Sequence, residues 1–417
     1  MYKFLTWGDW VMEDKLIISP KINFLISELK NNISNDKIVE NFWSELKKYG
    51  TPIVEEISQD SSTVLVTFLY KGDQDTKNVV LWSEFSSFNY KTNQMEQILG
   101  TNIWHKTYEI RKDVRFLYHF SVNDLLDDDR ENRDSNLTCD PLNPYKFIFP
   151  KYDEDPEDKD GVSSLVELPY ADKYYWSVLN NGSSKGTVEI HRFHSGLLNT
   201  ERRIWVYTPH GYSKDSIPYG TIVVTDGFEY INLLSAPVVL DNLISEGKIP
   251  PMIGIFIDTA KDRFNELTCN NDFSDHISTE VMPWALKNYN ITNVPNKNII
   301  AGLSLGGLTA SFIGLSHSEL FGNVLSESGS YWWSPEEDGN LNWMSRQYET
   351  KEKLPLKFYI NVGVLELPDL MQETNDNFKN TLISKGYSVH YETFKTGHDY
   401  LYWGETLGNG LITLVGI

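Results

Sequence analysis

"NIIAGLSLGGLTASFIGL", Asn298–Leu315, joins an apolar run, a glycine-rich bend with one central serine, and a second apolar run. The first run, "IIAG", is short and β-branched, which predicts a buried strand. The second, "LTASFIGL", brings Leu308, Phe312 and Leu315 to one side at helical spacing. Between them, Gly302-Leu303-Ser304-Leu305-Gly306 reads G-x-S-x-G. In a strand-to-helix elbow of this kind the serine takes a strained backbone conformation. Its neighbours must be small because strand and helix pass too close for side chains. The hydroxyl then projects at a helix N-terminus, where the dipole and free N–H groups favour a developing oxyanion. A chain of 417 residues meets the five-residue pattern by chance with a probability of about 0.1. Its placement between a strand and a helix is what gives it force.

The flanking sequence supports that placement. After Gly186, "RRIWVYTP", "GTIVVTDG", "PMIGIFID", "NIIAG", "GNVLSESGS", "LKFYINVG" and "SVHYETFKTG" read as strands. "SAPVVLDNLISEG", "TEVMPWALKNY", "LTASFIGLSH" and "DNFKNTLISKG" read as helices between them. Apolar strands alternating with helices predict a mostly parallel sheet covered on both faces, the α/β class.

The upstream half follows a different pattern. "STVLVTFLYKG" (Ser62–Gly72), "NVVLWS" (Asn78–Ser83) and "DVRFLYHFSV" (Asp113–Val122) are strand-like and separated by turns, with no helical period between them. They predict a small all-β sandwich. "FLISELKNNIS" and "KIVENFWSELKKYG" before it read as helices. Two acidic stretches, "DLLDDDRENRDSN" (Asp124–Asn136) and "YDEDPEDKDG" (Tyr152–Gly161), are expected as solvated loops or linker. The proline and irregular ligand spacing of the second argue against a calcium loop. The expected organisation is a helical lead-in and β-sandwich over 1–165, a linker over 166–185 and an α/β domain over 186–417.

Composition narrows the function classes. Hydrophobic residues at 40% and aromatics at 13% exclude a disordered or fibrous chain. A formal charge of −21 disfavours nucleic acid and anionic membrane surfaces as partners. No apolar run reaches the ~18 residues of a membrane span. "MYKFLTWGDWVMEDKLII" lacks the charged, apolar and small-residue regions of a signal peptide. The two cysteines, Cys139 and Cys269, lie far apart without metal-type spacing. They suit a reducing compartment, so the cytoplasm is expected, with no metal or cofactor of the protein's own.

A nucleophilic serine needs a base. Three of nine histidines follow Ser304: His317, His390 and His398. His390 falls inside an alternating strand and reads as structural. His317 ends the elbow helix and is expected to face solvent. His398, in "KTGHDYLYW", comes just past the last strand and is the expected base. The acid should follow the penultimate strand, where "FYINVGVLELPD" offers Glu366 at the strand's end and Asp369 beyond a proline. Glu366 is preferred and Asp369 held in reserve. The acid's role is to hold the imidazole tautomer and stabilise the imidazolium. The order nucleophile, acid, histidine is that of an α/β-hydrolase. The Leu305 N–H supplies one oxyanion donor, and Gly227 or Phe228, after "TIVVTDG", the other.

Several blocks in order resemble the enterochelin (enterobactin) esterases of the esterase D superfamily. They are "VVTDGFEY", "LDNLISEGKIPPMIGIFID", "RFNELTCNNDFSDHISTEVMPW" (Arg263–Trp284), "GLSLGGLTA", "LFGNVLSESGSYWW" (Leu320–Trp333) and "TGHDYLYW". "FWSELKKYGTPIVEE", "VTFLYKG", "GTNIWHKTYEIRKDVRFLYHF" and "DPLNPYKFIFP" are similar to the family's amino-terminal domain. The resemblance therefore covers nearly the whole chain. It implies hydrolysis of the trilactone backbone of a ferric catecholate siderophore, with release of iron inside the cell. It also implies Ser304 as nucleophile, His398 as base and Glu366 as acid, although some relatives work with a serine–histidine dyad. The family's motif arginine falls on Arg263. Leu305, where relatives often carry a bulkier residue, and the acidic stretches depart from the pattern.

Such a substrate is a trianion with three flat rings. Arg263 would offset its charge, and Trp332, Trp333 and Trp403 would stack on the rings or line their pocket. In a chain this acidic, Arg263 would need neighbours such as Arg202, Arg203 or Lys261. It has a plainer alternative, pairing with Glu266. The rival functions are a general carboxylesterase acting on feruloyl, acetyl or other small esters, and a non-catalytic binding protein. The intact Ser304, His398 and Glu366 set argues against the second.

Overall fold

The computed structural model describes residues 19–31, 35–58, 61–259 and 262–417. The stretch read above for a signal peptide, and Lys261, lie outside them. In the carboxyl-terminal half, strands β1 (Thr187–Ser195), β2 (Thr200–Thr208), β3 (Gly220–Val224), β4 (Met252–Ile257), β5 (Asn298–Leu303), β6 (Asn323–Glu327), β7 (Lys357–Gly363) and β8 (Ser388–Phe394) form one sheet. Their order is β1-β2-β4-β3-β5-β6-β7-β8. The first two strands pair antiparallel and β2 runs antiparallel to β4. Every other pair is parallel. This is the α/β-hydrolase sheet that the alternating pattern predicts.

Strand β5 shows why the sequence settles there. All six of its residues are buried, because helices cover both faces of the sheet. Ile300 packs on one side with α3 (Leu305–Ser316) and α4 (Glu373–Ser384), through Leu308, Ile313 and Phe378. Ile299, Ala301 and Leu303 point the other way, toward α2 (Ala236–Ser245) and α5 (Trp403–Val415), through Leu240, Leu243, Leu407 and Leu411. A short helix, α1 (Gly227–Asn232), follows β3 directly. Burial of each large aliphatic side chain is worth about 1.5–3 kcal/mol. The strand's two-residue alternation thus stabilises both layers.

Helix α5 was not evident in the sequence. Its "WGETLGNGLITLV" carries three glycines that weaken helical propensity. Packing explains them: a Cβ at Gly408 would lie 2.5 Å from the Trp176 ring, and one at Gly410 would lie 2.6 Å from Leu325.

The upstream strands form two sheets over a shared core. Ile53–Glu56, Thr63–Lys71, Ile103–Arg111 and Glu96–Gln97 make the first. Val79–Trp82, Arg115–Val122, Gly161–Glu167, Lys146–Phe149 and Leu137–Thr138 make the second. Val64, Val66 and Phe68 from one sheet meet Phe116, Tyr118 and Phe120 from the other, which makes the expected β-sandwich. Helices Pro20–Asn31 and Asn35–Tyr49 close one end through Phe42, Trp43 and Leu46.

The acidic stretches are largely solvent-exposed, as expected, but each is anchored at a few points. Residues Arg130–Ser135 form a helical turn. Arg133 grips Asp124 through two hydrogen bonds of 2.6 and 2.8 Å, with both side chains almost fully covered. Tyr152–Gly161 is the loop between two paired strands, Lys146–Phe149 and Gly161–Glu167. It reaches the eight-stranded sheet: Asp153 accepts from Arg203 at 2.6 Å, and the Tyr152 hydroxyl donates to Asp258 at 2.8 Å. Local charge density cannot reveal partners fifty residues away, and bidentate pairing is what makes burial of Asp124 with Arg133 tolerable. Among the described residues, no helix is long and apolar enough to cross a membrane.

Candidate active site

Ser304 directly follows β5 with φ 57° and ψ −121°, outside the regions that side-chain-bearing residues normally occupy. The glycines around it are required by contact. A Cβ at Gly302 would overlap the Gly306 carbonyl, and one at Gly306 would overlap Thr225 Oγ1 in the loop after β3. Two hydrogen bonds, one to the neighbouring strand β6 and one to the loop after it, fix the elbow. The Ser304 N–H donates to the Glu327 carbonyl at 2.8 Å, and Ser330 N–H donates to the Ser304 carbonyl at 3.0 Å.

The three side chains named from the sequence meet at the carboxyl edge of the sheet. Ser304 Oγ lies 2.9 Å from His398 Nε2, and His398 Nδ1 lies 2.9 Å from Glu366 Oε2. Glu366 is buried, and its other oxygen accepts from the Gly363 N–H at 2.7 Å and the Ser328 hydroxyl at 2.5 Å. Those donors fix the carboxylate in one orientation. Burial alone would lower the His398 imidazolium below its ordinary value, but the Glu366 charge and hydrogen bond outweigh it and the net shift is upward. The arrangement can move a proton from the serine hydroxyl to the imidazole while the carboxylate stabilises the cation that forms.

Asp369 is exposed on the turn beyond β7. His390 is exposed and stacks on Tyr359, with ring centroids 5.5 Å apart. His317 is only 17% exposed, facing Asp275 and Glu319 rather than open solvent.

The oxyanion candidates open two helices that follow neighbouring strands. Leu305 opens α3, and the Ser304 side chain makes no capping bond to that helix. Gly227 and Phe228 open α1, with Gly227 backed so closely by the β4 backbone that a Cβ would lie 2.8 Å from Phe256. Strands β3 and β5 are direct neighbours in the sheet.

The proposed ligand contacts need revision. Trp403 is 1% exposed, beneath the His398 ring at 5.1 Å, and its Nε1–H donates to Ser328 Oγ at 3.1 Å. It supports the histidine and the Glu366 partner and presents no face to a ligand. Trp332 and Trp333 are half-buried against the core just beyond Ser330, whose Oγ is 3.4 Å from Ser304 Oγ. Arg263 pairs with Asp226, not Glu266, through Nε and Nη2 at 2.6 and 2.8 Å. Glu266 belongs to Arg202, and Arg203 to Asp258 and Asp153. Both of those arginines are buried and offer no charge to a ligand. Asp226 and Ser328 escaped sequence reading because each acts through a partner distant in the chain. The "SESGS" run was the only signal near Ser328 and Ser330.

Residues 195–414 match the model of a family described as "Putative esterase". The chain belongs to the Esterase family. This esterase is 26% identical over 413 residues to the "Iron(III) enterobactin esterase" of Dickeya dadantii, covering 89% of this chain and 92% of that one. It is 23% identical to the "Iron(III) salmochelin esterase" of Escherichia coli O6:H1, over 94% and 98% of the two chains. Its fold is similar to the crystal structure of ferric enterobactin esterase from Salmonella typhimurium, with TM-score 0.71 and 22% identity over 90% of this chain and 98% of that one. The Shigella flexneri enterobactin esterase, crystallised in the presence of 2,3-di-hydroxy-N-benzoyl-serine, gives TM-score 0.68 and 25% identity over the same shares.

Proposed function

We propose that this esterase hydrolyses the trilactone ester bonds of a ferric catecholate siderophore and so frees the iron. The reaction rests on the unbroken chain from Ser304 Oγ through His398 to Glu366, at 2.9 Å for each link. The choice of ester rests on similarity to iron(III) enterobactin and salmochelin esterases along nearly the full chain, sandwich included.

In this reading Ser304 attacks a lactone carbonyl as His398 takes its proton. The oxyanion is held by the N–H groups of Leu305 and of Gly227 or Phe228. The serine alkoxide of the substrate leaves with the proton from His398. Water, activated by the same imidazole, then frees the carboxylate and restores Ser304. The iron is cargo held by the catecholates. Arg263 contributes to charge recognition only through the edge not bonded to Asp226. Residues 1–165 and 186–417 act as two domains joined by 166–185. The two free cysteines, Cys139 and Cys269, fit the reducing cytoplasm.

Comparing kcat/KM on a ferric trilactone siderophore with that on p-nitrophenyl acetate and a feruloyl sugar tests the substrate. The trilactone is expected to lead by about 10²-fold or more, since remote binding energy raises the rate on the true substrate. Equal or better turnover of the small esters would favour the general carboxylesterase.

A further inference from the structure

The sandwich touches both catalytic loops. Val364 and Leu365, next to Glu366, pack on the sandwich core. The Arg115 N–H of the sandwich donates to the Lys395 carbonyl at 3.2 Å, three residues before His398. Glu84, on the short turn after Val79–Trp82, goes further. Its Oε2 accepts the backbone N–H of His398 at 2.5 Å. Gly397 leaves the room for it, because a Cβ there would overlap the Glu84 carboxyl oxygen.

We propose that Glu84 is a positioning residue, which fixes His398 at hydrogen-bonding distance from Ser304 by accepting its backbone N–H across the seam between sandwich and sheet. This rests on the reading of Ser304 and His398 as nucleophile and base. Backbone placement matters because a misplacement of about 1 Å in a catalytic group can cost 10²-fold in rate. Glu366 holds the imidazole from one ring nitrogen, and a hinge remains at the main chain unless that is held too. Glu84 supplies the second point.

The group acts here as an acceptor. It lines a narrow cavity with Phe85, Phe116 and Leu365, and burial there pushes its acid up to about 8. The ionisable groups facing it are His398, Glu366 and Asp399, with His119 on the same cavity. Burial thus favours the protonated acid, and a carboxylic acid still offers its carbonyl oxygen to the N–H.

The test compares Glu84→Ala, Glu84→Gln and Gly397→Ala with the parent on a soluble p-nitrophenyl ester, with Ser304→Ala as control and thermal melts to check folding. Glu84→Ala is expected to lower kcat by about 10- to 100-fold with KM within about threefold, because the loss falls on transition-state geometry. Glu84→Gln keeps an acceptor and should recover most of that loss. Gly397→Ala should lower kcat by pushing the carboxyl aside. Its effect should largely vanish in a Glu84→Ala background, since the two changes break one contact. Full kcat in Glu84→Ala, or a Gln variant as impaired as the Ala variant, would overturn the proposal. Full activity in Ser304→Ala would instead overturn the nucleophile assignment on which it rests.

Discussion

Replacing Ser304 by alanine lowers kcat by at least about 10³-fold, with KM for the same ester little changed. The expectation follows from what the residue does and does not touch. Its Oγ bonds to His398 and approaches Ser330, and nothing in the core depends on it. The strained backbone at φ 57° is held by Gly302, Gly306 and the two bonds to the β6 strand and the loop after it, all of which alanine leaves in place. Removing the oxygen therefore removes the covalent route and leaves the cleft intact. The activity that remains should come from the oxyanion donors and from binding alone. Steady-state kinetics with thermal melts of both proteins check this.

Glu366→Gln gives the second-largest loss, about 10²-fold or more in kcat. The carboxylate has two tasks that an amide cannot share. One oxygen accepts from His398 Nδ1, and the other accepts from two donors, Gly363 N–H and the Ser328 hydroxyl. An amide placed there turns an N–H₂ group toward one of those donor sets, so either the imidazole or the strand end loses its acceptor. The pH profile carries a second signature. His398 must be neutral to take the serine proton, and its imidazolium is held above the ordinary imidazole value because Glu366 outweighs burial. The parent therefore loses kcat/KM as pH falls through an inflection above that ordinary value. In Glu366→Gln the supporting charge is gone and burial remains, so that inflection moves to lower pH. An unmoved acid limb with near-parent kcat would mean that Ser304 and His398 work as a dyad.

How much of this was legible depends on where each partner lies. Ser304, Glu366 and His398 could be named because each lies within a few residues of a strand's carboxyl end, and strand ends are what an alternating apolar pattern marks well. The sheet itself was legible for the same reason. Trp403 was misjudged because composition does not say which side of a histidine loop an aromatic takes. Only the fold puts it beneath the ring, donating to Ser328. Arg263 was placed near the site, but its charge was not legible as already matched. The matching carboxylate, Asp226, is thirty-seven residues away in a left-handed turn after β3. The acidic stretches proved largely solvated as read, and Asp124, buried against Arg133, is the exception that local charge density hid. Glu84 was invisible in principle: its contact with His398 spans 314 residues and exists only because one β-sandwich docks on one loop.

The central claim is that the Ser304 hydroxyl, and no other, is activated for attack on an ester carbonyl. Treating the protein with a fluorophosphonate and mapping the adduct by peptide mass spectrometry tests it most directly. The account predicts one phosphonyl group per chain, on the peptide that carries Ser304. Hydrolysis should fall in step with its occupancy, and labelling should slow as His398 becomes protonated. An adduct on a different residue, or hydrolysis that persists with Ser304 fully occupied, would contradict it.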